Sequence, residues 1–277
     1  MAEGNMASEA GVPWNGQAGH AWVAAQPLLD ALFAPIETLI VDSIPRGTRD
    51  ALDIGCGTGA TTLAVAAALA PHGRCTGIDI SEPMIAAARK RGEGVMQASF
   101  LCADATTHAF APNSFDLFVS RFGVMFFDAP ETAFANLRRA ARPGAELRLV
   151  AWRPASENPF MTTAEEAAAP LIAGIESRSP DGPGQFGFGD PARVARILAN
   201  GWRDVVLDPV DFECRMPEAE LTRYFTTIGP LGRLLPAADP DTRARVTAAV
   251  RAAFERFVHG DTVRFTAACW MVRGRAG

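Results

Sequence analysis

The segment LDIGCGTG at residues 52–59 has glycines at 55, 57 and 59, at the predicted turn from a strand into a helix. Glycine adopts positive φ angles without strain and lets a ligand approach the backbone closely. The helix predicted behind the turn would offer free N–H groups to an anion. Gly55, Gly57 and Ala60 also satisfy the dinucleotide fingerprint GxGxxG/A, so the loop predicts a bound ligand without identifying it.

Asp79 lies 20 residues after Gly59, at the predicted end of the second strand in GIDIS. A carboxylate at this position can accept hydrogen bonds from both hydroxyls of a ribose. The loop, the acid and the alternation of strands and helices around them agree, and together they favour an adenosyl ligand. The alternative is a purely structural glycine turn in which Asp79 caps the next helix.

The candidates for acid–base chemistry are the four histidines, and one arginine is a candidate for binding an anion. His20 lies in the N-terminal segment and His108 in the loop after the third predicted strand, so both could reach a pocket mouth as general bases. His72 and His259 lie at predicted helix ends, where a solvated cation is the simpler interpretation. Arg121 ends the fourth predicted strand, where it would bind an anionic group or pair with a neighbouring acid.

The elements that position these residues follow from the hydrophobic pattern. Between residues 50 and 150, short apolar runs alternate with helical segments, which predicts a parallel sheet covered by helices on both faces. The predicted strands are ALDIGCG, RCTGIDI, ASFLCADA, FDLFVSRF and ELRLVAW. Ser81 is a predicted helix cap, and Asp128 with Glu131 resembles a capping box. The helix that this box opens is predicted to stop at Arg142-Pro143-Gly144.

After Trp152 the sequence changes in character, combining a short alanine-rich helix with a loop rich in Pro, Gly and Phe up to Asp190. We interpret this segment as an insertion over a site. Helices are predicted from Asp190-Pro191, near Pro217 and from Asp239-Pro240, with a strand over 204–214. The final TVRFTAACWMV has the length and alternation of an antiparallel strand.

The composition limits the size of the domain, the type of ligand and the location that the sequence predicts. The chain has 277 residues, 48% hydrophobic and 21% charged, which fits one large domain or a core with a modest cap. The 31 acidic and 26 basic residues give a net charge of -5, which disfavours nucleic acid as a general ligand. Five cysteines without CxxC or zinc spacing predict reduced thiols and no metal site. Without a signal peptide or a long apolar run, the chain is predicted to be cytoplasmic and not to span a membrane.

Residues 50–152 resemble the class I S-adenosylmethionine-dependent methyltransferases. The matching positions are Asp53 and the turn Gly55-Cys56-Gly57-Thr58-Gly59, then Asp79-Ile80-Ser81-Glu82-Pro83-Met84, Asp104-Ala105, Phe115-Asp116 and Arg142-Pro143-Gly144. Ala145 stands where the family often has a second glycine. WNGQAGHAW near the N-terminus and SRFGVMFF after the fourth strand resemble the small-molecule branch, in which an N-terminal helix folds over the cofactor.

The resemblance implies a Rossmann-like, doubly wound, seven-stranded and mostly parallel sheet with an antiparallel last strand and helical cap insertions. It implies an N-terminal helical lid over residues 1–45 and a methyltransferase domain over 46–277, with cap insertions near 153–190 and 216–260. S-adenosyl-L-methionine would be the cofactor and S-adenosyl-L-homocysteine the product. The residues expected at the cofactor are Trp22, Asp53, Gly55, Cys56, Gly57, Gly59, Asp79, Ile80, Met84, Asp104, Ala105 and Ser120.

The predicted reaction is in-line transfer of a methyl group to an O, N or C atom of a small organic acceptor. Because the sulfonium already activates the methyl group, the protein mainly aligns the reactants and excludes water, and a dedicated catalytic residue is not required. Aromatic faces could stabilise the sulfonium or simply pack, and the candidates are Trp14, Trp22, Phe122 and Phe127. A partly apolar acceptor pocket, or packing of a small cap, would explain Phe160, Phe186, Phe188, Phe212 and Phe225.

Two other functions remain open at this level. A nicotinamide-dependent oxidoreductase is supported only by the spacing of Gly55, Gly57 and Ala60, and the chain has no YxxxK motif, its single tyrosine being Tyr224. A non-catalytic protein that binds S-adenosylmethionine would use the same motifs as an enzyme. The SRFG sequence after the fourth strand differs from the Asn/Asp-Pro-Pro-aromatic motif of families that methylate amino groups of bases. The acceptor, the methylated atom and the oligomeric state are not specified by any motif.

Overall fold

The computed structural model describes residues 14–175 and 182–277. Helices α1 (Gln17–Ala24) and α2 (Gln26–Asp42) meet at Ala25. The buried side chains of α2 recur at helical spacing and pack on the sheet, and they are Leu29, Leu32, Phe33, Ile36 and Ile40. Within the described ranges, no single helix is long and apolar enough to span a membrane. Helices α1 and α2 together have that length and composition, but they are bent by 74° relative to each other.

Seven strands form the main sheet. They are β1 (Asp50–Ile54), β2 (Arg74–Asp79), β3 (Ala98–Cys102), β4 (Phe115–Arg121), β5 (Ala141–Trp152), β6 (Trp202–Pro217) and β8 (Thr262–Ala276), and the short β7 (Val258–His259) pairs with β8. The order is β3-β2-β1-β4-β5-β8-β6, in which β1 to β5 are parallel and β8 is antiparallel to both of its neighbours. The predicted sheet is therefore confirmed, and β7 is an addition to it.

The order in which strands are added to the sheet reverses between β1 and β4. Strands β2 and β3 lie on one side of β1, and β4 lies on the other. In open α/β sheets, ligands bind outside the carboxyl ends of the strands at such a point. Helices α3 (Ala60–Leu69), α4 (Glu82–Arg91) and α5 (Pro130–Ala140) connect these strands. The glycine loop and the segment after β4 thus meet at one edge.

The second half of the chain adds five helices. They are α6 (Pro159–Ala168), α7 (Pro191–Leu198), α8 (Leu221–Thr227), α9 (Gly229–Leu234) and α10 (Pro240–Ala253). Helix α7 packs on α5 and β6, so it belongs to the layer that covers the sheet. The other four contact one another, and α9 also contacts α1. We call α6, α8, α9 and α10 the cap.

The helix starts predicted at Asp190 and Asp239 are confirmed, and the helix caps predicted at Ser81 and Asp128 are wrong. Asp190 and Asp239 accept hydrogen bonds from backbone N–H groups in the first turns of α7 and α10. Ser81 stands at the N-cap position of α4, but its hydroxyl donates to the Trp14 carbonyl at 2.7 Å and caps nothing. Asp128 does not cap α5 either, because the N-cap residue is Ala129 and it makes no side-chain bond.

The predicted stop at residues 142–144 is also corrected. Helix α5 ends at Ala140, and Ala141 already pairs with Phe115 in the sheet. The register then shifts before Leu117, which pairs with Glu146. Residues 142–144 therefore form an irregularity inside β5, where Gly144 takes a φ of 77°.

Candidate active site

The glycine loop after β1 has the backbone that its sequence predicts. Gly55, Gly57 and Gly59 have φ angles of 66°, 54° and 87°, in the left-handed region that favours glycine. The N–H groups of Gly55 and Cys56 both donate to the Ile78 carbonyl, at 2.9 and 3.1 Å. These bonds fix the loop against the end of β2, where the acidic residue of the site lies.

A second turn, after β4, packs directly on the glycine loop. A Cβ added to Gly123 would lie 2.7 Å from the Gly55 Cα and 2.5 Å from the Ile54 oxygen, so only glycine fits. The Ser120 hydroxyl donates to the Ile54 carbonyl at 2.7 Å and accepts from the Gly123 N–H at 3.1 Å. Ser120 therefore supports both turns from a fully buried position.

Asp79 is held in place by backbone groups. Its Oδ2 accepts from the Gly57 N–H at 2.8 Å, and its Oδ1 accepts from the Ser81 N–H at 2.9 Å. Burial raises the pKa of this carboxyl, while hydrogen bonds from backbone N–H groups oppose the rise. A carboxylate has about four acceptor positions, so hydroxyl groups of a ligand can still bind to it.

Two buried polar atoms at the site have no hydrogen-bond partner. Thr62 donates to Asp53 Oδ2 at 2.6 Å, but Asp53 Oδ1 is unpaired. Arg121 Nη1 also has no hydrogen-bond partner, although it lies 3.9 Å from Glu37 Oε2, and Nη2 lies 3.8 Å from Asp30 Oδ1. Buried polar groups normally make hydrogen bonds. An acceptor and a donor that both lack hydrogen bonds at one cavity fit a ligand that carries an ammonium and a carboxylate group.

Burial also sets the charge state of these two residues. Desolvation raises the pKa of Asp53 to about 7, although the Thr62 hydrogen bond opposes it. Desolvation lowers the pKa of Arg121, and the carboxylates of Glu37 and Asp30 oppose that shift. A ligand ammonium beside Asp53 would favour its charged form.

These groups open into a cavity of about 310 Å³, which we call the loop cavity. The predicted cofactor residues that line it are Trp22, Asp53, Gly55, Cys56, Gly57, Asp79, Ile80, Met84, Asp104 and Ala105. Gly59 and Ser120 do not. A Cβ on Gly59 would lie 2.8 Å from the Phe100 ring, so this glycine is needed for packing behind the loop.

Of the three candidate catalytic residues, Arg121 lines the loop cavity, whereas His20 and His108 do not. His20 is exposed, and its Nδ1 lies 2.9 Å from the Gly16 oxygen. The His108 ring packs edge-on against Phe110 with centroids 4.6 Å apart. The structure therefore does not bring either histidine to the site, because position in the chain did not specify the direction of the side chain.

A second cavity of about 710 Å³ lies between α1 and the cap, and we call it the aromatic cavity. Phe160 and Phe225 line it, as predicted for an acceptor pocket, whereas Phe186, Phe188 and Phe212 do not. The residues that line both cavities are Trp14, Trp22, Leu29, Phe33, Phe122 and Phe126. The two cavities thus share one largely aromatic wall.

The residues that attach α2 to the glycine loop were not predicted from the sequence. Arg91 donates to the Thr58 carbonyl at 2.8 Å and to Asp30 Oδ2 at 2.7 Å, and Gln26 also donates to that oxygen. Asp30 and Gln26 line the loop cavity. The available signal was the helical spacing of Gln26, Asp30 and Glu37 beside the apolar face of α2. The Arg91 partner of Asp30 is 61 residues away, which no local pattern reveals.

A family model described as a methyltransferase domain matches residues 52–149. The nocamycin O-methyltransferase of Saccharothrix syringae is 32% identical over 236 residues, covering 78% of this chain and 81% of that protein. The ubiquinone/menaquinone biosynthesis C-methyltransferase of Burkholderia mallei (strain SAVP1) is 37% identical over 109 residues, covering 37% of this chain and 44% of that protein.

Among solved structures, the [4+2]-cyclase SpnF matches with a TM-score of 0.56 and 21% identity, covering 96% of this chain and 98% of that one. At that identity the likeness shows the fold alone. The family model spans the strands that carry the glycine loop and Asp79, and the first relative extends well beyond them. Neither a nicotinamide-dependent oxidoreductase nor a non-catalytic binding protein is favoured by these findings. The chain belongs to the class I S-adenosylmethionine-dependent methyltransferases.

Proposed function

We propose that this enzyme transfers the methyl group of S-adenosylmethionine to an oxygen atom of a largely apolar small molecule bound in the aromatic cavity. The observation that carries the proposal is the wall shared by the two cavities. A donor in the loop cavity and an acceptor in the aromatic cavity would meet across that wall. The name of the relative with 32% identity supports oxygen as the methylated atom.

The loop cavity fits the two ends of the cofactor. We assign Asp79 to the ribose hydroxyls and Asp104-Ala105 to the edge of the adenine, since all three residues line the cavity. Asp53 Oδ1 would accept from the α-ammonium group, and Arg121 Nη1 would donate to the α-carboxylate. Neither atom makes a hydrogen bond within the protein, and Nη1 has only the 3.9 Å ion pair with Glu37. Binding would therefore remove the cost of two unpaired buried groups.

When bound, S-adenosylmethionine supplies a methyl group on a positively charged sulfur. The chain's own contribution is to hold both ends of the molecule, so that the methyl group faces the shared wall. The lid helices and the aromatic residues keep water from that point. These roles agree with a site that has no dedicated nucleophile.

The acceptor must lose or already have lost its proton. Among the described residues that line the two cavities there is no histidine or lysine, and Glu165 is the carboxylate that lines the aromatic cavity alone. We therefore propose an acidic oxygen nucleophile, such as a phenol, an enol or a carboxylic acid. A carboxylic acid or an acidic enol is already ionised at neutral pH, whereas a phenol, with a pKa of about 10, would transfer its proton to a carboxylate as the methyl group arrives.

The proposal includes an organisation of the chain. Residues 1–45 would form the lid and 46–277 the methyltransferase domain, with the cap insertions near 153–190 and 216–260 closing the acceptor side. The five cysteines are free, which fits the reducing cytoplasm. The net charge of -5 fits a small-molecule acceptor better than nucleic acid. The chain's first 13 residues and residues 176–181 lie outside the described ranges.

The test is a methylation assay with S-adenosylmethionine and a panel of naphthols, cyclic enols, aromatic carboxylic acids and matched amines. We expect mass gain of one methyl group on apolar hydroxy compounds. Ala164→Phe adds bulk at the aromatic cavity and should lower kcat/KM for the acceptor at least about tenfold, without changing the affinity for S-adenosylhomocysteine. Turnover confined to small charged amines or to nucleic acid would contradict the proposal.

A further inference from the structure

The wall between the two cavities consists of two groups of rings. Trp14 lies edge-on to Trp22 and to Phe126, with centroids 6.2 and 5.2 Å apart. Phe33 lies edge-on to Phe122 with centroids 5.3 Å apart. We call these five side chains the aromatic wall. Since they line both cavities, a methyl group that leaves one cavity for the other passes them.

Phe122 has an unusual backbone for its residue type. Its φ of 70° and ψ of -10° lie in the left-handed region, which a bulky residue rarely adopts. The conformation is held by its own N–H, which donates to the Val150 carbonyl at 2.9 Å, and by Ser120, which accepts from Gly123. Strain of this kind persists where the surroundings enforce it, and it is concentrated at functional sites.

The result is a ring in a fixed position at the junction. The Phe122 ring stacks on Trp152 at 4.5 Å with an angle of 6° between the planes. Only 7% of the residue is exposed. Phe127, five residues further along, lines the loop cavity but not the aromatic cavity. Both phenylalanines therefore line the loop cavity, and of these two only Phe122 also lines the aromatic cavity.

The charge of the cofactor changes during the reaction. A bond forms between the acceptor oxygen and the methyl carbon, the bond from sulfur to that carbon breaks, and sulfur keeps the electron pair. The acceptor proton goes to solvent or to a carboxylate, and sulfur changes from a cation into a neutral thioether. A cation near an aromatic face is attracted by the ring quadrupole, whereas a neutral sulfur lacks that attraction.

We propose that the aromatic wall, with Phe122 as its fixed member, distinguishes the charged cofactor from its neutral product. It binds the sulfonium more tightly than the thioether, which favours exchange of product for fresh cofactor. The Arg121 guanidinium nearby is balanced by Asp30 and Glu37, so the site is not left with an excess of positive charge. This inference rests on the proposed function.

The experiment is calorimetric titration with S-adenosylmethionine and S-adenosylhomocysteine of the wild type and three variants, Phe122→Leu, Phe122→Tyr and Phe212→Leu. Leucine and tyrosine at residue 122 meet the same backbone strain as phenylalanine, so strain is matched. Phe212 lies on β6 and lines neither cavity, so it is the control. Phe122→Leu should weaken binding of the sulfonium by about 3- to 30-fold while binding of the thioether is unchanged. Phe122→Tyr and Phe212→Leu should both keep the wild-type ratio of the two affinities.

An equal loss of affinity for both compounds in Phe122→Leu would overturn the inference, because it would mean that the ring only packs. If this variant does not fold, Trp22→Leu tests the lid side of the same wall with the same ratio as readout. Failure of the wild type to bind either compound would contradict the proposed function itself. The two failures are therefore distinguishable.

Discussion

The two cavities of this enzyme are built in different ways. The loop cavity lies at the ends of parallel strands, and its polar groups are carboxylates and backbone N–H groups held by hydrogen bonds of 2.6 to 3.1 Å. The aromatic cavity lies between helices from distant parts of the chain, and packing of large rings forms it. The polar contacts of the loop cavity therefore come from short-range features of the sheet, whereas the shape of the aromatic cavity depends on the packing of the cap against α1.

The largest expected effect comes from Asp79→Ala. The substitution removes an acceptor of the Gly57 N–H as well as the proposed acceptor for the ribose hydroxyls. We expect affinity for S-adenosylhomocysteine, measured by calorimetry, to fall by about 100-fold or more. Glu82→Gln, an exposed acid three residues later, is the control and should bind normally. A fall of similar size in the control would mean that the loss of a negative charge, and not the contacts of Asp79, weakens binding.

Asp53→Asn should have opposite effects on binding and stability. The amide keeps an acceptor for Thr62 but lacks the charge that the ligand ammonium requires, so we expect affinity for S-adenosylmethionine to fall about 30-fold at about pH 8. Affinity of the wild type should rise as pH increases through about 7, the raised pKa of Asp53, and the variant should lack this rise.

The stability effect of Asp53→Asn follows from the same pKa. Folding raises the pKa of Asp53 from 3.8 to about 7, so between these values the folded state binds a proton that the unfolded state does not. Wild-type stability therefore falls as pH rises through that window. The variant should have the higher Tm at about pH 8, and the difference should vanish at about pH 4, measured by thermal unfolding of the ligand-free protein. If the Tm of the variant were lower than that of the wild type at about pH 8, the result would contradict burial of a charged carboxylate at Asp53.

Gly123→Ala tests the contact between the two turns. The new Cβ would lie 2.7 Å from the Gly55 Cα. Because the Gly55 Cα is a backbone atom, the clash can be relieved only if one of the two turns moves. We expect destabilisation of about 1–3 kcal/mol in denaturant unfolding and about tenfold weaker binding of S-adenosylhomocysteine. Gly274→Ala in β8 is the control, because its nearest neighbour, a Leu147 methyl, lies 3.4 Å away. Equal stability of the two variants would show that the close contact is not required.

The smallest effect is expected from Arg91→Gln. The variant loses the bonds from Arg91 to Thr58 and Asp30, which attach α2 to the glycine loop. Both charged side chains are partly exposed, so we expect only about a fivefold loss of cofactor affinity, measured by calorimetry. Arg89→Gln on the exposed face of α4 should bind as the wild type does. An equal loss of affinity in the two variants would contradict a specific role of the Arg91 bonds.

The sequence predicted the loop cavity better than the aromatic cavity for a physical reason. Gly55, Gly57 and Asp79 are short-range features, since a glycine turn and a strand end specify their place. Ser120 and Gly59 were expected at the ligand, but their contacts with Ile54 and Phe100 arise only in the folded sheet. The helices of the cap were predicted individually, whereas the cavity depends on how they pack against α1.

Side-chain direction accounts for the other differences. Ser81 had the right position for a cap, but the Trp14 carbonyl, 67 residues away in the chain, takes its hydroxyl. His20 and His108 lie in the predicted segments, and yet neither side chain reaches a cavity. Asp30 was missed because its partners come from α4 and the end of β4.

The most direct test of the central claim is calorimetric titration of the purified wild type with S-adenosylmethionine, S-adenosylhomocysteine and NADH. We expect micromolar binding of both adenosyl sulfur compounds and no binding of NADH. Binding of NADH, with neither sulfur compound bound, would contradict the assignment of the loop cavity to S-adenosylmethionine.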